Sequence, residues 1–506
     1  MEIKRERWSS RPAFIMAAIG SAVGLGNLWR FPYVAYENGG GAFLIPYFIA
    51  MLTAGIPMMI LEYGLGHIMQ GSAPAAASRV DRRLEWVGWW ALLVGTMIVL
   101  YYAAVMAWCW VYTWQSLKAL VGGIVGSAAS VIPWGDSPET VSGFFFGKVL
   151  HLSSGPSELG GLSWPVVIGM VLTWLAVFLI IHRGVKRVGR VVLITVPLPI
   201  ILIIILMIRG MTLPGSIEGL KYYLTPDFSK LKDPSVWLAA YSQIFFSLSL
   251  GFGILIAYAS YLPKTTDVNN SAFITVLANC GTSFLAGFAV FSTLGYLAGA
   301  LNVPVSEVVK SGPTLAFVTY PTAISKMPLP ALFGVIFFIT LLTLGIDSAF
   351  SIVEGVVGGI WDKWKINRTK LTAGFCLIGL FVGLIYCTHA GLYWLDIVDH
   401  WMNNFGLAAV GLLECIMIGY FAKPSEFRRY VNSVSEIRIG WWWDAMIRYV
   451  TPAILLYSLF MGYVQELRVP YEGYDGWALK VGGWHLVIAL IIVAVLLSLS
   501  RGREVE

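Results

Sequence analysis

The chain has 506 residues, of which 58% are hydrophobic and 12% charged, and its mean hydropathy is +0.75. Soluble domains carry about 25% charged residues, so composition excludes a water-soluble enzyme or binding module and points to a chain that crosses a bilayer many times. The net charge of +6 sits in Lys and Arg clusters in short loops, which read as orientation signals and call for no nucleic-acid partner.

Apolar segments near the spanning length number about twelve. They lie at 11–37, 41–70, 88–120, 164–182, 190–210, 235–262, 268–300, 331–363, 370–388, 392–420, 445–466 and 483–500. The first is interrupted by Gly20-Ser21-Ala22-Val23-Gly24-Leu25-Gly26-Asn27-Leu28-Trp29-Arg30-Phe31-Pro32, where a spanning helix would carry Leu and Ile. This reads as a broken helix. Backbone groups freed in hydrocarbon must be satisfied, so such a break is tolerated where it is buried in protein or lines a wet cavity. Arg30 at membrane depth costs about 2.5–3.5 kcal/mol and calls for a carboxylate partner. The alternative is that Gly20 and Gly24 form a small-residue packing face and Arg30 reaches up to the interface.

Lys4, Arg5, Arg7 and Arg11 precede the first span, and Arg79, Arg82 and Arg83 follow the second. Arg183 to Arg190, Lys363 to Lys370, Lys423 to Arg438 and Arg501 with Arg503 continue the pattern, which sets both termini on the cytoplasmic side. No cleavable signal pattern precedes the first span. The second span holds Pro57 and Glu62, and the third holds Tyr101 and Tyr102. A long external loop, 121–163, elaborates one membrane domain and adds no second one.

The sixth span repeats the anomaly of the first, with Gln243-Ile244-Phe245-Phe246-Ser247-Leu248-Ser249-Leu250-Gly251-Phe252-Gly253 at mid-depth. Interruptions at corresponding places in two halves point to a transport site, with freed N–H groups for a carboxylate and freed carbonyls for sodium. An inverted repeat follows: 1–10 as an N-terminal gate segment, 11–213 as spans one to five, 235–420 as spans six to ten, and 445–500 as two more. In the seventh span Asn279 and Ser283 share a face. In the eighth, Leu344-Gly345-Ile346-Asp347-Ser348 offers oxygens to a small hard cation, the alternative being hydrogen bonds between helices. The five cysteines lie in or at the ends of spans and suggest no disulfide, and the six histidines form no metal-protease spacing.

The first-span string, Glu37 to Phe43, the string from Gln243 to Gly253 and Leu344 to Ser348 together closely resemble the neurotransmitter:sodium symporter family, from Lys4 to the last span. The resemblance implies the all-α membrane fold of the bacterial leucine transporter: twelve transmembrane helices, a five-plus-five inverted repeat, broken helices one and six. It implies one sodium held by Ala22, Asn27, Ser247, Asn279 and the substrate's carboxylate, and a second by Gly20, Val23, Leu344, Asp347 and Ser348. It implies a substrate carboxylate at Leu25, Gly26 and Tyr102, and an amine near Phe246 and Ser348. The substrate's side chain would lie against Ile98, Phe246, Ser249, Phe252 and Ile352. Gly24, where amine-carrying members have Asp, implies a substrate that brings its own carboxylate.

Ser283 stands where chloride-independent bacterial members have Glu, which implies a chloride held by Tyr47, Gln243, Ser247, Asn279 and Ser283. By the same resemblance Arg30 pairs with Asp399 in an outer gate, while Arg5 and Trp8 close against Ser260, Tyr261 and Asp362 in an inner one. The resulting expectation is a sodium-coupled, chloride-dependent symporter of a small neutral amino acid in a prokaryotic inner membrane, and not an enzyme. A taurine-like or GABA-like solute, or a non-transporting sensor on the same fold, are the alternatives.

Overall fold

The first helix begins on Ser10, whose hydroxyl accepts the Ala13 N–H at 3.3 Å with Pro12 in the first turn. In the computed structural model, which describes residues 6–126 and 132–502, this helix, α1 (Arg11–Ala22), ends at the first glycine-rich break. The chain restarts at an angle of 51° as α2 (Leu25–Glu37). Then come α3 (Gly41–Met69), α4 (Arg82–Ile124), α5 (Trp164–Ile181) and α6 (Val185–Met211). The second break separates α7 (Pro234–Ser247) from α8 (Ile254–Ser260). The long helices that follow are α9 (Val268–Leu301), α10 (Pro330–Trp364), α11 (Arg368–Cys387), α12 (Gly391–Phe421), α13 (Trp441–Gly473) and α14 (Gly476–Leu499), with shorter helices in the connections.

Ten of these helices are long and apolar enough to cross a membrane, or eleven spans with the bent pair α1 and α2 counted as one. Neither α7, with 14 residues, nor α8, with 7, reaches that length, so the twelfth expected span exists only as two pieces. Several helices outrun their apolar segments, α4 and α13 most of all, because an α-helix needs no apolar pattern once it leaves the hydrocarbon. Among the described residues there is no strand beyond the isolated bridges Gly40–Pro226 and Leu162–Thr388.

Helices α4 and α10 form the centre, with 78% and 72% of their most apolar windows buried, whereas only 17% of α13 and 28% of α6 and α14 are. Ile168, Ile194 and Leu496 lie exposed on the outer helices, as a lipid-facing surface requires. At the second break Ser249, Gly251 and Gly253 take φ of +54°, +78° and +70°, a left-handed run that no α-helix continues. The freed Gly251 N–H donates to Glu62 Oε1 of α3 at 2.8 Å. Helix α8 meets α3 backbone to side: a Cβ on Gly66 would stand 2.0 Å from the Ile256 carbonyl oxygen. Gly66→Ala is therefore expected to force α8 off α3 and destabilise the fold by about 1–3 kcal/mol, visible as a lowered melting temperature of the purified protein.

Candidate functional site

The two breaks face one small cavity. Its walls are the first break, Ile98 and Tyr102 of α4, Phe246 to Phe252 around the second break, and Ser348 and Ile352 of α10. Every residue expected to face a substrate lines this one space. One pole is polar. The first turn of α2 opens there with N–H groups that have no helical partner, and Leu25 N–H reaches the Tyr102 hydroxyl at 3.2 Å. The other pole is apolar, made by Ile98, Phe252 and Ile352. Ser249 and Ser348 both donate to the Ser21 carbonyl, at 2.8 and 3.3 Å, so the end of α1, the second break and α10 meet at one oxygen.

Asn27 knots this centre together. Its Oδ1 accepts the Gly24 N–H at 2.8 Å, and its Nδ2 lies 2.7 Å from Ser283 Oγ and 2.8 Å from the Asn279 amide. The Asn279 amide also stands 3.1 Å from the Ala22 carbonyl and 3.2 Å from the Ser247 carbonyl. Two carbonyls around one amide end have two chemical solutions: the amide nitrogen donates, or its oxygen and theirs surround a cation. The other three expected first-sodium residues thus all meet the Asn279 amide.

Of the second-sodium set, Asp347 is 1% exposed and its Oδ1 has no hydrogen-bond partner. The carboxylate leans on the last turn of α1, where a Cβ on Gly20 would come within 3.1 Å of Asp347 Oδ2. Ser348 Oγ is 3.4 Å from the Leu344 carbonyl, and Val23 and Leu344 are buried beside it. A buried carboxylate oxygen without a donor is costly, and a small cation would relieve it.

Of the chloride set, Tyr47, Ser283, Asn279 and Ser247 are neighbours in a chain of contacts, and Gln243 lies one turn before Ser247 on α7. Tyr47, Gln243, Ser247, Asn279 and Ser283 are all buried. Neither the Tyr47 hydroxyl nor the Gln243 amide meets a partner at hydrogen-bonding geometry, although Ser283 and Cys280 face the hydroxyl. Unsatisfied buried donors cost about 1–3 kcal/mol each, and an anion between them would recover that.

The outer gate differs in detail from a salt bridge. Arg30 and Asp399 face each other's charge but form no ion pair within 4 Å. The guanidinium lies 4.7 Å over the Phe246 ring, with Ser242 Oγ at 3.4 Å, while Asp399 accepts from Tyr101 at 2.5 Å and Asn403 at 2.7 Å. On the face that carries the N-terminus, Trp8 donates to the Tyr258 carbonyl at 2.8 Å and packs edge-on against Tyr258 and Tyr261. Asp362 accepts the Ser72 N–H at 2.7 Å, Ser260 donates to the Ala257 carbonyl, and Arg5 lies outside the described residues.

One cluster on that face escaped the sequence reading. Glu354, 0% exposed, accepts from Arg368 and from Tyr261 at 3.1 Å, and Arg368 also lies 3.8 Å from Glu6. Its signal was Glu354 itself, an acid two helical turns beyond Asp347.

A sequence profile of the sodium:neurotransmitter symporter family matches residues 5–123 and 125–503. The chain belongs to that family. Its members are transporters, not enzymes. An uncharacterized sodium-dependent transporter of Methanocaldococcus jannaschii is 43% identical over 496 residues, 98% of each chain. A sodium- and chloride-dependent taurine transporter of Bos taurus is 32% identical and a creatine transporter of Torpedo marmorata 34%, each over 99% of this chain and 86% of the relative. A family member with this many spanning helices is a membrane protein.

Gly24 lets the first break approach its neighbours, since a Cβ there would meet Ser348 Oγ at 2.9 Å and Tyr102 Oη at 3.2 Å. Gly24→Ala is expected to displace both hydroxyls and raise the half-saturation concentration for sodium-dependent uptake roughly ten-fold, about 1.4 kcal/mol.

Proposed function

We propose that this symporter carries a small neutral amino acid together with sodium and chloride, by alternating access of the central cavity to the two faces. The observation that carries the reading is the knot around Asn27. Oxygens of Ala22, Ser247 and Asn279 crowd one point beside the N–H pole of the cavity, so a substrate carboxylate at Leu25 and Gly26 would complete a cation's shell. Substrate and ion would then tighten each other by linkage.

A second sodium between Gly20, Val23, Leu344, Asp347 and Ser348 would tie α1 to α10, which the unpartnered Asp347 oxygen supports. Chloride at Tyr47, Gln243, Ser247, Asn279 and Ser283 would supply the negative charge that Ser283 does not, which the unsatisfied Tyr47 and Gln243 groups support. Helices α7 and α8 would together make the sixth of twelve spans in a five-plus-five inverted repeat, all one membrane unit. The basic loops put both termini in the cytoplasm, and the archaeal relative agrees with a prokaryotic cell membrane. The membrane potential supplies about 2.3 kcal/mol per charge per 100 mV. Arg30 over Phe246 on one side and Trp8 on the other would be the gates. Each is a small set of hydrogen bonds and ring contacts, few enough to break on each cycle.

A taurine-like or creatine-like solute is the second reading, favoured by the named relatives. Uptake of radiolabelled amino acids, taurine, GABA and creatine into proteoliposomes, with sodium and chloride replaced singly, separates the two. The expected result is uptake of a neutral amino acid that collapses without either ion. Uptake of taurine or creatine alone would install the second reading, and sodium-driven uptake indifferent to chloride would remove the halide site. Ser283→Glu is expected to keep sodium-driven uptake and abolish its chloride dependence, read in the same vesicles.

A further inference from the structure

Two acids inside the membrane take no part in the cavity, the ion clusters or either gate. Glu62 on α3 and Glu414 on α12 are 0% and 2% exposed. Glu62 Oε1 accepts the Gly251 N–H at the second break, but Glu62 Oε2 and Glu414 Oε2 have no hydrogen-bond partner.

The packing places the two at one depth on touching helices. Cys415 Sγ lies 3.2 Å from Met58 Sδ, so α12 and α3 touch at that depth. Glu62 is one turn beyond Met58 on α3, and Glu414 adjoins Cys415. Gly251, which Glu62 holds, presses on the same stretch of α12: a Cβ on it would stand 3.1 Å from the Leu407 carbonyl and 3.6 Å from Val410, one turn before Glu414. The two carboxyl groups act on each other's charge directly.

No cation offsets them. Among the described residues, no Lys, Arg or His hydrogen-bonds or ion-pairs with either acid, and the second break gives Glu62 only the Gly251 N–H. The titratable groups that sense them are Tyr63, which gives its hydroxyl to Thr275, and Cys415. Arg7 and Lys264 face His67, further along α3. Two carboxylates cannot both stay ionised in such surroundings. A single proton removes one charge and supplies the one donor that the two bare oxygens lack.

We propose that Glu62 and Glu414 bind one proton between them, in a carboxylic acid–carboxylate hydrogen bond that ties the second break and α3 to α12. The proton is taken reversibly from water and leaves no covalent product. While it is bound, Gly251, Glu62 and Glu414 form one continuous chain of hydrogen bonds. Once it leaves, two buried anions repel across the same joint, and the second break loses its anchor to α12. The site is separate from the cavity and rests on none of the sodium, chloride or substrate assignments.

Infrared difference spectra of purified wild-type protein against Glu414→Gln and against Glu62→Gln test it at neutral pH. A shared proton predicts that the C=O band of a protonated carboxylic acid is lost in both variants, and either variant alone suffices if the other does not fold. Both spectra without that band loss would overturn the proposal. In vesicles, wild-type uptake is expected to fall at least ten-fold between neutral and strongly alkaline pH. Glu414→Gln, which keeps a hydrogen-bond donor and cannot ionise, is expected to retain at least half of the neutral rate and lose the alkaline fall. An alkaline fall unchanged in Glu414→Gln would also overturn it.

Discussion

Everything at the centre of this protein depends on one side chain satisfying a broken helix inside hydrocarbon. A helix interrupted at membrane depth leaves backbone groups that water cannot reach, and each must find a partner. Asn27 answers that demand in two directions. Its oxygen takes the Gly24 N–H and caps the first turn of α2, while its nitrogen reaches α9 at Asn279 and Ser283. The capping solution therefore also sets the polar wall of the cavity. An apolar residue at this point would leave Gly24 unsatisfied and unhook α2 from α9 in one step.

The second break is handled by a different device. Its left-handed turns at Ser249, Gly251 and Gly253 are anchored from behind by Glu62 and from in front by Ser249 on the Ser21 carbonyl. Both breaks thus hang from buried polar groups on helices that do not break, α3, α9 and α10. Those helices, with α4, make the well-packed body. The contacts proposed as gates are of another kind: an Arg over a ring, and a Trp on two carbonyls and two rings. A stiff body with lightly held covers is what alternating exposure of one cavity requires.

Much of this was legible in the chain because hydrocarbon is an unforgiving solvent. Asn27, Asn279, Ser283 and Asp347 stand out in apolar stretches, and at membrane depth polar side chains must converge on partners. Glycines and hydroxyls marked both breaks, whereas several helices run past the apolar segments that announced them. What stayed hidden are pairings between residues far apart in sequence. Nothing local shows that Arg30 rests on Phe246 and Ser242 and stays off Asp399, or that Glu354 collects Arg368, Glu6 and Tyr261. The glycines and hydroxyls of the sixth span announce its break, and the two pieces, α7 and α8, are each too short to cross alone.

The central claim is that the oxygens gathered by the two breaks hold sodium before any solute arrives. Ligand that binds only the folded state stabilises it by RT ln(1 + [L]/Kd), about 2.7 kcal/mol at a hundred times Kd. Thermal unfolding of the purified protein in sodium against choline, with no solute added, measures this directly. The account predicts a higher melting temperature in sodium, with Asn27→Ala and Asp347→Ala each removing part of the gain. Equal melting in sodium and choline would contradict it, and would leave the two breaks as packing features of the helix bundle.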